Sequence, residues 1–476
     1  GNLQLRKQDI FAILNFCVSA RPVYLMRNID PTITIPALEL FDRRMTDCLM
    51  ILLDMDPQDI ISRELFELIR SLPRFLRGLG IRKLTAFDGA FVQGQYNQCT
   101  EAVRAFMAQQ VPPELFSGPD ADVVTLHHKL LGARDVGIVA PNYPNREQFL
   151  NDSNTFVLSL LYKQVVEHIR KVLIDQGKRS AAAIWLSGTF NQTAAFLDYH
   201  GGNDHRQTLS DTQFTQYTRI WCALPPHSRN VLPMVCACNA DLDRSPWHYL
   251  VCKQASGYRH GLHQSLVYLI YDHIRKFGEL DPTRGDFIVA DGGQGANSRD
   301  PQGLCKIANM EGRQRENPGN AKVDIVLRKN GRVTTFDVTI ANPAANKYIA
   351  KGSDAIPEVA IRDRIKTKEE FYHPLLPPQS ESNRFVVLAF EVTGRMEHTT
   401  MQLIKSMFPK SSDFAWRKFQ NFLSVAIARF ISDEVNHGIG HAHYPNGQNP
   451  MELPFDRFRD EDEDEHGPPP GPPQDM

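Results

Sequence analysis

The chain has 476 residues, of which 42% are hydrophobic and 23% charged, and its formal net charge is −2. This length allows about three or four domains, and the composition excludes a chain that is too polar to build a core. No apolar run reaches the roughly 18 residues of a membrane span, so we expect no membrane contact.

The eight cysteines are sparse for this length, and no secretory signal precedes them. We therefore expect reduced thiols and an intracellular location. Gly1 in place of an initiating Met predicts that the sequence is an excerpt of a longer chain. The small excess of bases before residue 455 is too weak to indicate a nucleic-acid partner by itself.

Residues 1–110 are predicted to form a helical bundle. Apolar residues recur at helical spacing from Ile10 onward, and Pro36 is predicted to open a helix that continues to Leu52. The stretch 72–83 then interleaves bases with apolar residues around two glycines. It is either a solvated turn or a loop that contacts phosphates through its bases: Arg74, Arg77 and Arg82.

Residues 111–235 are predicted to be a connector of loop and helix, with an apolar stripe that favours a helix at 156–176. A cysteine and histidine segment follows at 236–256. Residues 257–440 then show, in order, the patterns of a helix, a strand, a hairpin, a helix, a strand and two helices. The acidic, proline-rich tail at 441–476 cannot bury a core and is predicted to be disordered.

The hairpin is the sharpest of these patterns. Two β-rich runs, 323–329 and 332–340, are separated by Asn330-Gly331, and such a turn needs a positive φ at both residues. The alternation predicts that one face of the hairpin packs on a core, through six apolar residues: Val323, Ile325, Leu327, Phe336, Val338 and Ile340.

Two acids share the other face of this hairpin. Counting outward from a two-residue turn pairs Lys329 with Arg332 and places Asp324 opposite Asp337. Opposed side chains lie about 5 Å apart, where like charges are destabilising. The pair needs a cation or a proton on one acid, and a divalent metal meets that need. The alternative is a solvent-facing hairpin whose acids are screened by neighbouring bases: Lys322, Arg328 and Arg332.

A candidate zinc site precedes the hairpin. His248 and Cys252 are four residues apart and can face one metal from a helical turn, while Cys236 and Cys238 project from one side of an extended chain. The single residue between the first two cysteines is shorter than the usual zinc spacing. Isolated buried cysteines are the alternative.

The run Lys322-Val323-Asp324, twelve further residues and then Asp337-Val338-Thr339-Ile340-Ala341-Asn342-Pro343 resembles a known nuclease core. It is similar to the restriction-like PD-(D/E)xK endonuclease of LINE-type (non-LTR) retrotransposons. The resemblance covers 210–410 well, and 8–100 weakly resembles the thumb region that follows a reverse-transcriptase palm. It implies an α+β multidomain protein: a helical bundle, a zinc knuckle and a nuclease domain whose mixed sheet is flanked by helices.

The resemblance implies a DNA endonuclease that holds Mg²⁺ or Mn²⁺ on Asp324 and Asp337. The family's proline before the first acid is Val323 here, and its lysine two residues after the second acid is Thr339. A displaced lysine is therefore expected. No Asp-Asp dipeptide of the kind that a polymerase palm presents occurs in the sequence, so we expect no polymerase activity from this chain.

Lys368 is the candidate for that displaced lysine. On the predicted helix at 357–372 it shares the inward stripe with Ile361, Ile365 and Tyr372, and a lysine followed four residues later by a tyrosine is similar to the family's arrangement. A surface lysine is the alternative. Glu391, in a segment that resembles the family's next strand, is either a support for the site or an edge-strand acid.

The family carries a CCHC zinc knuckle before its nuclease, which favours zinc on the four cysteine and histidine residues above. Arg259 and His260 resemble the Arg-His pair that opens the first nuclease helix, and they are expected to contact DNA or the active site, with packing as the alternative for His260.

The resemblance implies a nuclear protein that nicks a DNA target and holds the element's RNA, so that the nick primes an upstream polymerase. A degenerate or domesticated nucleic-acid-binding protein is one alternative, favoured by Val323 and Thr339. A cellular repair or restriction nuclease is another.

Overall fold

The computed structural model describes residues 5–22, 31–55, 62–81, 83–84, 154–189, 193–197, 208–228, 235–236, 238–242, 247–250, 252, 256–277, 287–289, 304–311, 314, 320–329, 331–408 and 413–443. The loop predicted within the connector, most of the tail that was predicted to be disordered and the side chains of Arg82, Arg259 and His260 lie outside this description. Among the helices described, none is both long and apolar enough to cross a bilayer.

The fold is α+β and mostly helical. Its α-helices are α1 (Lys7–Ala12), α2 (Pro31–Leu52), α3 (Arg63–Ser71), α4 (Asn154–Asp175), α5 (Arg179–Gly188), α6 (Asp211–Trp221), α7 (Ser256–Phe277), α8 (Asn346–Ile349), α9 (Val359–Tyr372), α10 (His398–Ser406) and α11 (Asp413–His443). A π-helix, Ile13–Val18, continues α1, and short 3₁₀ helices lie at Arg74–Leu76, Thr193–Leu197, His248–Leu250 and Ile307–Asn309. The strands are β1 (Phe287–Val289), β2 (Ile325–Lys329), β3 (Arg332–Ala341) and β4 (Asn383–Glu391).

The four described strands form one mixed sheet in the order β1-β2-β3-β4. The first three are antiparallel, and β4 runs parallel to β3 after the crossover through α9. The predicted pairing of Lys329 with Arg332 is confirmed, and Gly331 has the positive φ of 73° that the tight turn requires. The predicted order of elements from α7 to α11 is also found, with the short α8 added between the hairpin and α9.

Each face of the sheet packs on its own group of helices. Ile325, Phe336 and Val338 belong to the large core that also includes α7 and α11, as the alternation predicts. The opposite face is buried as well, because Val326 and Val387 pack with residues of α9 in a second core. The face that bears Asp337, which pairs with Val387, is therefore covered by a helix and is not open to solvent.

Val323 is not on the predicted face. It packs in the second core, with Val326. The reason is a β-bulge: the amide of Asp324 donates to the carbonyl of Phe336, whose Cα partner is already Ile325, so two residues of one strand face one of the other. The extra residue moves everything before it to the opposite face.

Several predicted helix boundaries were wrong. Helix α2 begins at Pro31 and contains Pro36 instead of opening with it. Helices α5 and α6 were not predicted, although Ser210 and Gln213 form a capping box at the start of α6. Helix α11 continues to His443, into the first residues assigned to the tail.

The large core is continuous from the N-terminal helices to the sheet. Phe11 and Phe214 pack with their ring centroids 5.8 Å apart, and both belong to the same cluster as Phe336 and Val435. Helix α11 contacts α6, α7 and the 3₁₀ helix at 193–197. The segments predicted as separate units thus share apolar contacts across their boundaries.

Candidate active site and metal centre

The two hairpin acids lie at the end of the β2–β3 ladder. Because of the bulge, Asp324 does not pair directly with Asp337, which corrects the predicted register at this position. Its Oδ2 atom instead accepts a hydrogen bond of 2.7 Å from the amide of Val338. The acids remain close enough for the charge of Asp324 to raise the pKa of Asp337.

Lys368 reaches Asp337 from α9. Its Nζ atom lies 3.0 Å from Oδ1 and 2.9 Å from Oδ2 of the carboxylate. Tyr372, one turn later, lies against the same ammonium, with its ring centroid 5.6 Å from Nζ, and its hydroxyl donates to the carbonyl of Lys322. The inward stripe of α9 therefore carries the lysine to the acids, as the spacing predicts.

His263 on α7 was not predicted as a site residue. Its Nε2 atom lies 3.2 Å from Oδ2 of Asp324 and 3.0 Å from the carbonyl oxygen of Val338. Burial by itself lowers the pKa of His263, but the hydrogen bond to Asp324 and the two negative charges outweigh burial and raise it. The imidazole thus fixes the side chain of Asp324 against β3.

The carboxylates suit a divalent cation. Asp337 is 2% exposed, and burial first, then the charge of Asp324, raises its pKa. Its buried Oδ2 accepts no hydrogen bond from the described residues, although Nζ of Lys368 lies 2.9 Å away. Both hydrogen bonds to the Asp324 carboxylate from described residues go to Oδ2, which leaves Oδ1 available. Two hard oxygen donors with unfilled positions are the ligands that Mg²⁺ and Mn²⁺ prefer.

Thr339 lies beside these acids on β3 and is buried. Its hydroxyl accepts a hydrogen bond of 3.3 Å from Nε of Arg364, which lies one turn before Lys368 on α9. Both basic side chains line a cleft of about 280 Å³ together with His263. The family that the sequence resembles has a lysine at this position. Here the residue is Thr339, which positions Arg364.

Glu391 is on the edge strand of the described sheet, but its side chain is buried. It accepts a hydrogen bond from Ser187 of α5, and burial raises its pKa to about 7, against the opposing effects of that hydrogen bond and of Arg395. Its described contacts link the end of β4 to α5, away from the carboxylate pair.

The predicted zinc residues come together. The ligand atoms of Cys236, Cys238, His248 and Cys252 all lie within 4.8 Å of one another, an arrangement that could hold a zinc ion. The first two cysteines lie on a tight turn, not on the extended chain that was predicted: the amide of Cys236 donates to the carbonyl of Ala240, and a single β-bridge closes the loop.

The side chains of this cluster differ in their ionisation. Burial raises the pKa of Cys236 to about 12, and burial lowers the pKa of His248, which keeps the imidazole in the neutral form that binds metals. Burial by itself raises the pKa of Cys238, but hydrogen bonds, the first of them from the Ala240 amide, outweigh burial and lower the pKa. A bound cation would hold these thiols as thiolates.

Arg77, predicted to contact nucleic acid, is completely buried. Its Nε and Nη2 atoms donate to the carbonyls of Trp221 and Ile220, at 2.6 and 2.9 Å, and so cap the C-terminal end of α6. No phosphate can reach it in this fold. Arg74 is partly buried, with its guanidinium 5.6 Å from the ring centroid of Phe16.

Comparison with known proteins places the chain in no family, because no protein-family model and no curated protein matches it.

Proposed function

We propose that the chain is the metal-dependent DNA endonuclease part of a retrotransposon-type protein. The observation that carries the proposal is the convergence of Lys368 on the buried carboxylate of Asp337, with Asp324 close beside it. The three side chains come from different parts of the chain: Asp324 directly precedes β2, Asp337 lies on β3 and Lys368 lies on α9. A surface ion pair does not require this degree of burial.

The order of elements supports the same proposal. Helix α7, three antiparallel strands, the helices α8 and α9 and a parallel strand follow one another, with Asp337 on β3 and Lys368 on α9. This order supports the restriction-endonuclease-like sheet that the resemblance implies.

Asp324 and Asp337 would hold Mg²⁺ or Mn²⁺, which lowers the pKa of a bound water and offsets charge on a phosphate. The residues of the chain supply the rest. His263 keeps Asp324 oriented, since its Nε2 atom lies within hydrogen-bonding distance of both Oδ2 and the Val338 carbonyl. Lys368 places a positive charge at the cleft, where it can stabilise negative charge that develops on a phosphoryl oxygen.

The proposed partners are a DNA target and the element's RNA in the nucleus. We propose zinc for the cysteine and histidine cluster, because three thiols and one imidazole form a closed four-ligand set of the structural zinc type. Held in this way, the turn at Cys236–Ala240 would present its exposed Cys238 side to nucleic acid.

The alternative is a nucleic-acid-binding protein that no longer cuts. One contact favours it: the Nζ atom of Lys368 lies about equally close to both oxygens of Asp337, so the ammonium already neutralises the carboxylate without a metal.

A plasmid-nicking assay with Mg²⁺ and with Mn²⁺ separates the two functions. We expect the wild type to convert supercoiled DNA to open circles, and Asp324→Asn and Asp337→Asn to abolish this while DNA retention persists. Asp363→Asn is the matched control, because that acid is on α9 but is paired with Lys351 and not with a residue of the site. Either of two results would refute the proposed endonuclease activity. The first is a wild type that binds DNA but nicks it with neither metal, and the second is a variant with both Asp substitutions that nicks normally.

A further inference from the structure

More basic than acidic side chains line the cleft beside the carboxylates. The basic side chains of His263, Arg364 and Lys368 line it, and Glu434 is the only acid among its lining residues that the structure describes. Its volume of about 280 Å³ is many times the roughly 30 Å³ of one liquid water, so it can accept a group of several heavy atoms.

Two of these three bases are already engaged with carboxylates. Lys368 pairs with Asp337, and His263 contacts Asp324. Arg364 differs, since it forms no ion pair with any described residue, and its one hydrogen bond within the described chain runs from Nε to Thr339. The two Nη atoms therefore make no hydrogen bond to the described residues.

Thr339 gives this arginine a fixed position. Its side chain is buried on β3, and it accepts from the Nε edge of the guanidinium. An arginine held by one edge keeps its remaining donors in a planar fork, which matches two oxygens of a phosphate in geometry and charge. Because the arginine side chain is already ordered in the free protein, it loses less conformational entropy when a ligand binds.

We propose that Arg364 and the cleft form a phosphate-binding site for the DNA backbone, next to the carboxylate pair. The inference rests on the proposed function for the identity of its ligand as a nucleotide phosphate. Arg364 binds the phosphate group, and Thr339 is its positioning residue. The site holds the strand so that the neighbouring phosphodiester lies at Asp324 and Asp337.

Thymidine 3′,5′-bisphosphate is a suitable probe, because it carries two nucleotide phosphates and lacks a bond between nucleotides. Its affinity is measured by calorimetry with no added Mg²⁺ or Mn²⁺, so that no turnover is needed. Loss of charge-assisted hydrogen bonds in Arg364→Gln should weaken binding about 10- to 100-fold. Arg364→Lys, which keeps the charge and loses the fork, should recover part of the affinity.

Arg362→Gln is the matched control. It removes an arginine two residues away on α9 whose side chain is 70% exposed and paired with Glu358, and it should leave the affinity unchanged. Circular dichroism and thermal melting establish that each variant is folded. A wild type that does not bind the bisphosphate would overturn the site, as would equal affinities for wild type and Arg364→Gln, or equal losses in the Arg364 and Arg362 variants.

Different results would refute the endonuclease and the phosphate-binding site. A wild type that binds the bisphosphate through Arg364 but nicks DNA with neither metal refutes the endonuclease and leaves the phosphate site standing. A wild type that nicks DNA, while Arg364→Gln binds the bisphosphate undiminished, refutes the phosphate site alone.

Discussion

The Nζ atom of Lys368 lies 3.0 Å from Oδ1 of Asp337, although 31 residues separate them in sequence. The lysine is about one quarter exposed and the acid almost fully buried, so the ammonium closes the solvent side of the carboxylate. Substitution of Lys368 is therefore a direct test of the site.

Lys368→Met should reduce metal-dependent nicking about 100-fold or more, since it removes a charge positioned for the transition state. Initial nicking rates at saturating Mn²⁺ measure the effect. Lys366→Met is the control, because Lys366 is 76% exposed on the same helix and should tolerate the change. Equal rates for Lys368→Met and wild type would exclude a catalytic role for this lysine.

Zinc should be bound at about one ion per chain, and Cys252→Ser should reduce this to about zero by removing a buried ligand. Elemental analysis of the purified protein measures the stoichiometry, and thermal melting should show a lower Tm for the variant. Cys48→Ser is the control, because Cys48 is exposed and outside the cluster. A wild type without zinc, or a Cys252 variant that retains it, would contradict the assignment.

Glu391 should make stability depend on pH. Its pKa in the folded protein is about 7, above the ordinary value of 4.5, so the protonated form is the one that the fold favours. The stabilisation is complete below pH 4.5 and is lost as the pH rises to about 7, by about 3 kcal/mol at most. Urea denaturation of wild type and Glu391→Gln across this range measures the difference.

The glutamine variant should lack this pH-dependent component. Glu370→Gln is the control, since Glu370 is 67% exposed on α9 and should leave the wild-type pH profile intact. Parallel profiles for wild type and Glu391→Gln between pH 4.5 and 8 would show that the folded pKa of Glu391 is not raised.

Arg77→Met should lower the free energy of unfolding by about 1 to 3 kcal/mol, because it leaves the buried carbonyl of Trp221 at the end of α6 without this donor, while Ile220 keeps the amide of Ala223. DNA affinity of the folded protein should not change. Urea denaturation and the salt dependence of DNA binding are the two measurements, with Arg362→Met as the exposed control. Weaker DNA binding at unchanged stability would restore Arg77 as a phosphate contact.

The hairpin and the cysteine cluster could be predicted because their information is local. A two-residue Asn-Gly turn sets the register of β2 and β3, and helical spacing alone aims Lys368 inward from α9. The bulge at Asp324 could not be read from the same pattern. Alternation assumes an unbroken ladder, and one extra residue reverses the face of Val323 without changing its chemistry.

The surroundings of His263, which was not predicted, and of Glu391, whose role the sequence left open, depend on contacts between distant elements. His263 and Glu391 acquire their surroundings from helices packed on the sheet, and periodicity names a helix face but not what it meets. For Arg77 a signal was present. Leu72, Leu76, Leu79 and Ile81 surround it in sequence, and all four are buried, so the segment was more apolar than its bases suggested.

The core shared by the N-terminal helices and the sheet has an evolutionary consequence. A nuclease that is exchanged between genes as a self-contained cassette needs boundaries across which few apolar contacts run. Here α11, which follows the sheet in sequence, packs on α6 from the preceding segment, and Gln216 donates to Asn436 at 2.6 Å across the same boundary. Recombination between these segments would divide one core into two incomplete ones, so we infer that they have been inherited together.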